Sequence, residues 1–117
     1  MKYLCLIYNQ EKNLEGLSKA EWDSLREEYF AFTDGIRSSG HHLDGGGLQS
    51  TRTARTIRVR DGTLSATDGP FAETQEQLGG YYLIEAKDLN DAIRVAAQIP
   101  SSRIGSIEVR PIMEFDQ

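Results

Sequence analysis

Apolar positions along this chain follow two rhythms, strict alternation and a three-four spacing, set apart by polar and glycine-rich stretches. Lys2–Tyr8 is mostly apolar, rich in β-formers and too short to present a helical face, so a central strand is expected there. The polar segment Asn9–Leu17 reads as a linker. Ser18 and Glu21 then match a capping box, and Leu17 and Trp22 stand at the spacing of a hydrophobic staple. Trp22, Leu25, Tyr29, Phe32 and Ile36 recur at intervals of three and four, which predicts one apolar stripe on a long helix. Ser38-Ser39-Gly40 closes that helix, with Gly40 suited to the left-handed residue past its end. Gly40–Gly47 reads as the loosest segment of the chain.

Further on, Arg55–Arg60 alternates around Ile57 and Val59, Asp61-Gly62 signals a two-residue turn, and Thr63–Thr67 returns as the partner strand. Asp68-Gly69-Pro70-Phe71 is a turn, Glu73–Leu78 is expected to make one helical turn ended by Gly79-Gly80, and Tyr81–Ala86 is a strand. Asp88 is a good N-cap for a second helix, with Asp91 favouring the positive end of its dipole. Leu89, Ile93, Ala96 and Ala97 supply its apolar face. Ile99-Pro100 stops it, and Ser106–Arg110 is the last main strand, with Pro111 at its end or at a sheet edge.

The order strand, long helix, hairpin, strand, helix, strand predicts an α+β ferredoxin-like sandwich: an antiparallel sheet with two helices on one face. The chain has 117 residues and no repeat or compositional break, so a single domain over 1–117 is expected. Helices on one face leave the other open, which invites sheet-to-sheet dimerisation. A net charge of −5 argues against direct nucleic-acid binding, although Arg52, Arg55, Arg58 and Arg60 do cluster. One cysteine, Cys5, supports neither a disulfide framework nor a zinc site, and its apolar neighbours place it in the core. No stretch approaches the ~20 apolar residues of a membrane helix, and Met1–Tyr8 lacks the marks of a signal peptide, so a cytoplasmic protein with no membrane contact is expected.

The run Asp68-Gly69-Pro70-Phe71, followed by Ala72-Glu73-Thr74 and Gln77-Leu78-Gly79-Gly80-Tyr81-Tyr82, resembles the signature of the DGPF branch of the YCII-related family. The opening Met1–Tyr8 and the segments Ile99-Pro100-Ser101 and Glu108–Pro111 are similar to it too, so the resemblance spans nearly the whole chain. It implies a dimeric α/β-barrel type of ferredoxin-like fold and a homodimer. It implies no settled reaction. Some members of the wider family resemble lyases or dehalogenases built on a His-Asp pair, with the histidine on the first helix and the aspartate before a proline near the last strand. Here the first helix has no histidine, and Ile99 precedes Pro100. The resemblance also suggests a regulatory setting with an extracytoplasmic-function sigma factor as partner.

Candidate chemistry centres on Asp68, His41 and His42. Asp68 near apolar Phe71 suits a general acid or base, and equally suits an Asx-turn that caps the following backbone. His41 and His42, the only histidines, follow a helix in a glycine-rich stretch; either can shuttle a proton, or simply favour the helix's negative end. In an extended segment only one of the two points inward. Phe71 is a candidate substrate-binding wall and Arg103 a candidate anion-binding group. Tyr82 suits a pocket wall or the core. Neither phosphate-loop nor nucleophilic-serine motifs occur. The expected function is cofactor-independent acid-base chemistry of lyase or isomerase type on a small molecule, without metal, using Asp68 with His41 or His42. The alternative is a non-enzymatic regulatory or ligand-binding module working with the sigma factor.

Overall fold

A computed structural model describes residues 1–115. Four strands form the main sheet: β1 (Lys2–Asn9), β2 (His42–Gly47), β5 (Gln77–Glu85) and β6 (Ser106–Pro111). Their order is β2-β5-β1-β6, and every neighbouring pair is antiparallel. The helices are α1 (Glu11–Glu15), α2 (Lys19–Ser38) and α3 (Leu89–Ala96), with short 3-10 turns at Thr51–Thr53 and Pro100–Arg103. Between β2 and β5 the chain inserts a separate two-stranded sheet, β3 (Arg55–Arg60) with β4 (Thr63–Asp68). Without that insertion the order strand, helix, two strands, helix, strand is the ferredoxin-like arrangement expected.

Alternation decides which face of the sheet is core. Tyr3, Cys5 and Ile7 of β1 stand opposite Ile84, Tyr82 and Gly80 of β5 and are buried. Phe32 and Ile36 of α2, and Ala92, Val95 and Ala96 of α3, close over them. Each fully buried aliphatic side chain contributes about 1.5–3 kcal/mol here. Cys5 is fully buried, and burial pushes its thiol up to about 11, so it packs as an inert core residue.

The long helix begins as its sequence predicts. Ser18 Oγ accepts from the Glu21 amide at 3.1 Å, and Glu21 returns the bond to the Ser18 amide at 3.0 Å. It ends at Gly40, φ +80°, with the His41 amide on the Ile36 carbonyl at 2.9 Å and the Gly40 amide on the Arg37 carbonyl at 3.2 Å, a complete Schellman motif. The β3–β4 turn uses Asp61 (φ 52°) and Gly62 (φ +74°), both left-handed as a type I′ turn requires.

Four expectations are corrected. The segment Asn9–Leu17 is not plain linker: Glu11–Glu15 is helical. The glycine-rich stretch is an edge strand, β2, whose backbone pairs with β5 although few of its side chains are apolar. Glu73–Leu78 makes no helical turn; β5 starts at Gln77, and Gly79-Gly80 lie inside it. On α3 the buried residues are Asp91, Ala92, Val95 and Ala96, while Leu89 and Ile93 are about half exposed and Ala97 is exposed. Small alanines let the short helix sit close to the sheet, which turns the larger residues outward.

Candidate functional site

Between α2 and the β2–β5 side of the sheet lies a cleft of about 590 Å³, within the range of small-molecule sites. Its wall on α2 follows the helical period. Trp22, Leu25, Arg26, Tyr29, Thr33 and Arg37 all face it, so the polar series 26, 29, 33, 37 runs beside the apolar stripe. Ile7 and Tyr82 form the floor, and Leu14 and Leu48 add apolar walls. The glycine run of β2 makes the room. A Cβ on Gly45 would stand 2.8 Å from Cδ1 of Tyr82, so only glycine lets that ring lie across the edge strand.

Two hydroxyl pairs sit in this cleft. Thr33 Oγ1 donates to the Tyr29 carbonyl at 2.8 Å, which leaves it to accept from the Tyr82 phenol at 2.7 Å. Tyr29 Oη meets Ser101 Oγ at 2.5 Å. Burial pushes both phenols above the ordinary tyrosine value, so both are neutral at physiological pH. Phe32 packs edge-on against Tyr82, ring centroids 5.1 Å apart, and fixes the ring's orientation. Asn9, buried at the end of β1, also borders the cleft, and its Oδ1 has no hydrogen-bond partner among the described residues.

Charge is distributed unevenly around the rim. Glu11 accepts from the amide and hydroxyl of Thr51, both at 2.8 Å, and Glu15 pairs with Arg52 at 2.6 Å. Those two carboxylates are therefore committed. Arg37 has only a long 3.8 Å contact to exposed Asp34, and Arg26 makes no ion pair among the described residues.

The sequence-predicted residues separate. His42, in β2, points to the helix side, lines the cleft and stands edge-on to Tyr82 at 6.3 Å between centroids. His41 lies just before the strand, outside the cleft, and its partner is Asp91 of α3 rather than Asp68. Its Nε2 is 3.1 Å from Asp91 Oδ2, and its Nδ1 is 2.6 Å from Ser39 Oγ. A carboxylate only accepts, so Nε2 carries a proton toward Asp91, while the Ser39 hydroxyl beside Nδ1 also donates to the Ile36 carbonyl at 3.2 Å. Asp91 also accepts the Lys87 amide at 3.0 Å. That amide bond comes first, the His41 contacts after it, in holding the Asp91 carboxyl below its ordinary value. Ser39, His41 and Asp91 follow the order of a nucleophilic triad, but none borders the cleft; they clasp the end of α2 to the start of α3.

Asp68 is on the exposed hairpin, its side chain 88% accessible and paired with Arg55 at 3.0 Å. It makes no Asx-turn bond among the described residues; its partner is the guanidinium across the strand pair. The turn after it is held instead by the Gly69 amide on the Ala54 carbonyl at 2.8 Å and by Thr56 Oγ1 on the Gly69 carbonyl at 2.9 Å. Phe71 is 81% exposed and lines no part of the cleft. Arg103 is tied to Glu28 of α2 by contacts of 2.8 and 3.0 Å. Within one chain, then, Asp68 is joined to neither histidine; of the candidate catalytic and substrate-binding residues only His42 lines the cleft, beside Tyr82, which suited a pocket wall. Sequence reasoning missed Tyr29, Thr33, Arg26, Arg37 and Ser101. The available signal was the polar series at helical spacing along α2, hidden because Tyr29 also belongs to the apolar stripe. Trp22, read as core, is 40% exposed on the cleft wall.

The pattern of the YCII-related domain matches residues 1–116. The chain belongs to the YCII-related family. A protein of Rhizobium meliloti (strain 1021), itself described as uncharacterised, is 35% identical over 114 residues, covering 96% of this chain and 92% of that protein. In this YCII-related chain the run Asp68–Phe71 lies at the base of the β3–β4 hairpin, and the cleft is lined by residues outside it. No helix among the described residues is long and apolar enough to cross a membrane.

Proposed function

We propose that the cleft of this YCII-related protein binds a small, largely apolar molecule carrying an anionic group, and that His42 moves a proton on it without a cofactor. The observation that carries this reading is the convergence in one 590 Å³ cleft of aromatic walls, two neutral phenols, an imidazole and two arginines short of carboxylate partners. Trp22, Tyr29 and Tyr82 offer area to a planar or apolar body. Arg26 and Arg37 offer charge to its carboxylate or similar group. The Tyr82 proton is engaged by Thr33, so its oxygen remains free to accept from the ligand. His42 is the one imidazole at the cleft and the group suited to proton transfer near neutral pH. Asp68 and His41 have no place in this version of the chemistry.

Trp22 is the only tryptophan, so intrinsic fluorescence reads occupancy of the cleft directly. Titration with a panel of aromatic and aliphatic carboxylates is expected to change Trp22 emission saturably for the aromatic members. Arg37→Gln should weaken that response, and His42→Gln should leave binding in place while abolishing any turnover. A panel that leaves both Trp22 emission and the His42 ring resonances unmoved at millimolar concentration sinks the proposal.

A further inference from the structure

Asn9 breaks the pattern of its strand. Tyr3, Cys5 and Ile7 alternate along the core face of β1, and Asn9 takes the next position on that face, where an apolar residue would continue the series. It is only 8% exposed, and its Oδ1 has no hydrogen-bond partner among the described residues. The polar groups around it are spent on one another. Gln77, its partner across the ladder, accepts from the Glu11 amide at 3.0 Å, and Gln10 accepts from Asn13 at 2.8 Å. Ser106 donates to Glu76 at 2.7 Å. A buried polar group without a partner is costly, and departures of this kind gather where a protein meets a ligand.

The two ends of this carboxamide face different ways. Nδ2 is turned to Gly79, which lines the cleft; a Cβ on Gly79 would stand 3.8 Å from it. Oδ1 is turned to Gly105, where a Cβ would stand 2.7 Å away, so glycine at 105 leaves the room in which the side chain sits. Asn9 and Leu14 border both the cleft and a smaller hollow of about 290 Å³, so they form the wall between the two. The cleft's other end is cationic. There His42 stands edge-on to Tyr82, and Arg37 lies one turn of α2 beyond Thr33, which holds the Tyr82 phenol. Cys5 pairs with Tyr82 in the ladder and precedes Asn9 by four residues, about 13 Å of strand.

Building on the reading of the cleft as a site for an apolar anion, we propose that Asn9 is a specificity-determining residue that hydrogen-bonds a hydroxyl group at the end of the ligand remote from the anion. The ligand is then two-ended. Its anion lies toward Arg37 and His42, its apolar body against Trp22 and Leu25, and its hydroxyl against Asn9. As the side chain stands, Nδ2 donates to the hydroxyl oxygen; a half-turn of the carboxamide presents Oδ1 to the hydroxyl proton, and a hydroxyl serves either orientation. The remote group is neutral for two reasons. Glu11 and Glu15 follow Asn9 in the chain and border the same cleft, so a second anion is repelled there. The Nδ2 protons disfavour a cation.

The test is isothermal titration calorimetry with 4-(4-hydroxyphenyl)butanoate and 4-(4-methylphenyl)butanoate, two probes of the same shape that exchange a hydroxyl for a methyl at the remote end. Against an apolar end wall the methyl is the better group to bury, so the sign of the preference reports on Asn9. Wild type is expected to bind the hydroxyl probe about tenfold more tightly. Asn9→Leu should reverse that order, whereas Arg37→Gln should weaken both probes alike. Asn9→Ala, which cannot overpack the site, should also lose the preference, and it decides the matter if the leucine variant does not fold. A wild type that favours the methyl probe, or a hydroxyl preference that survives removal of the carboxamide, overturns the role of Asn9 and leaves the anion site standing. Failure of both probes to bind wild type at millimolar concentration overturns the anion site and the role of Asn9 together.

Discussion

Asp91 shows how one carboxylate holds several elements at once. It caps the Lys87 amide, bonds His41 and lies 3.5 Å from Arg94, with its side chain only 11% accessible. Its folded pKa lies below the ordinary value, chiefly through the Lys87 amide. The stability this contributes is therefore complete above the unfolded value of about 3.9 and is lost as pH falls through the folded one. Glu21, lowered by its bonds to Ser18, acts in the same direction. Urea midpoints measured from neutral pH down into the acid range should decline more steeply for wild type than for Asp91→Asn. Curves that fall in parallel would show that Asp91 carries none of the acid sensitivity. His41 was legible in the sequence as a residue near a helix end; that its partner is Asp91, fifty residues away, was not, because no local pattern encodes that pairing.

At the scale of elements, the ends of α2 are the most local structures in the molecule. The capping box and Schellman motif depend on Ser18, Glu21 and Gly40, each recognisable from a few neighbours. Gly40→Ala places a Cβ at φ +80° and is expected to cost about 1–2 kcal/mol, visible as a lowered denaturation midpoint with an unchanged slope. No atom would crowd the added methyl, so any loss reports backbone strain alone. An unchanged midpoint would show that the left-handed turn does not limit stability. The strand β2 teaches the opposite lesson. His42–Gly47 carries almost no strand propensity, and it becomes a strand because the exposed edge of β5 offers it a ladder.

For the whole molecule, the four-stranded sandwich and the β3–β4 hairpin are separable in their packing. The core cluster draws on β1, β5, α2, α3 and their flanks and on nothing between Arg55 and Asp68. Excising Arg55–Asp68 and joining Ala54 to Gly69, whose backbones already meet at 2.8 Å, should leave a chain that unfolds cooperatively and keeps the Trp22 response to ligands. Small-angle scattering on the monomer should fall toward the ~13 Å of a compact chain near 100 residues. Loss of the cooperative transition would show that the hairpin is part of the folding unit.

Short-range physics, readable along the chain, sets β1, the caps and length of α2, the β3–β4 turn, the start of α3, and from their order the ferredoxin-like class. The sequence also carried the family signature at Asp68–Phe71. Only the tertiary structure decided that a glycine run completes the sheet, that α3 turns its alanines inward, and that the hairpin stands apart. Only the fold sent His41 to Asp91 and His42 to a cleft lined by Tyr29, Thr33 and Tyr82, and left Asp68 with Arg55. The reason is the same in each case. Periodicity and capping are set by residues within a turn or two of one another, whereas ladder pairing, facing and side-chain partnership depend on segments distant in sequence that meet only in the packed molecule.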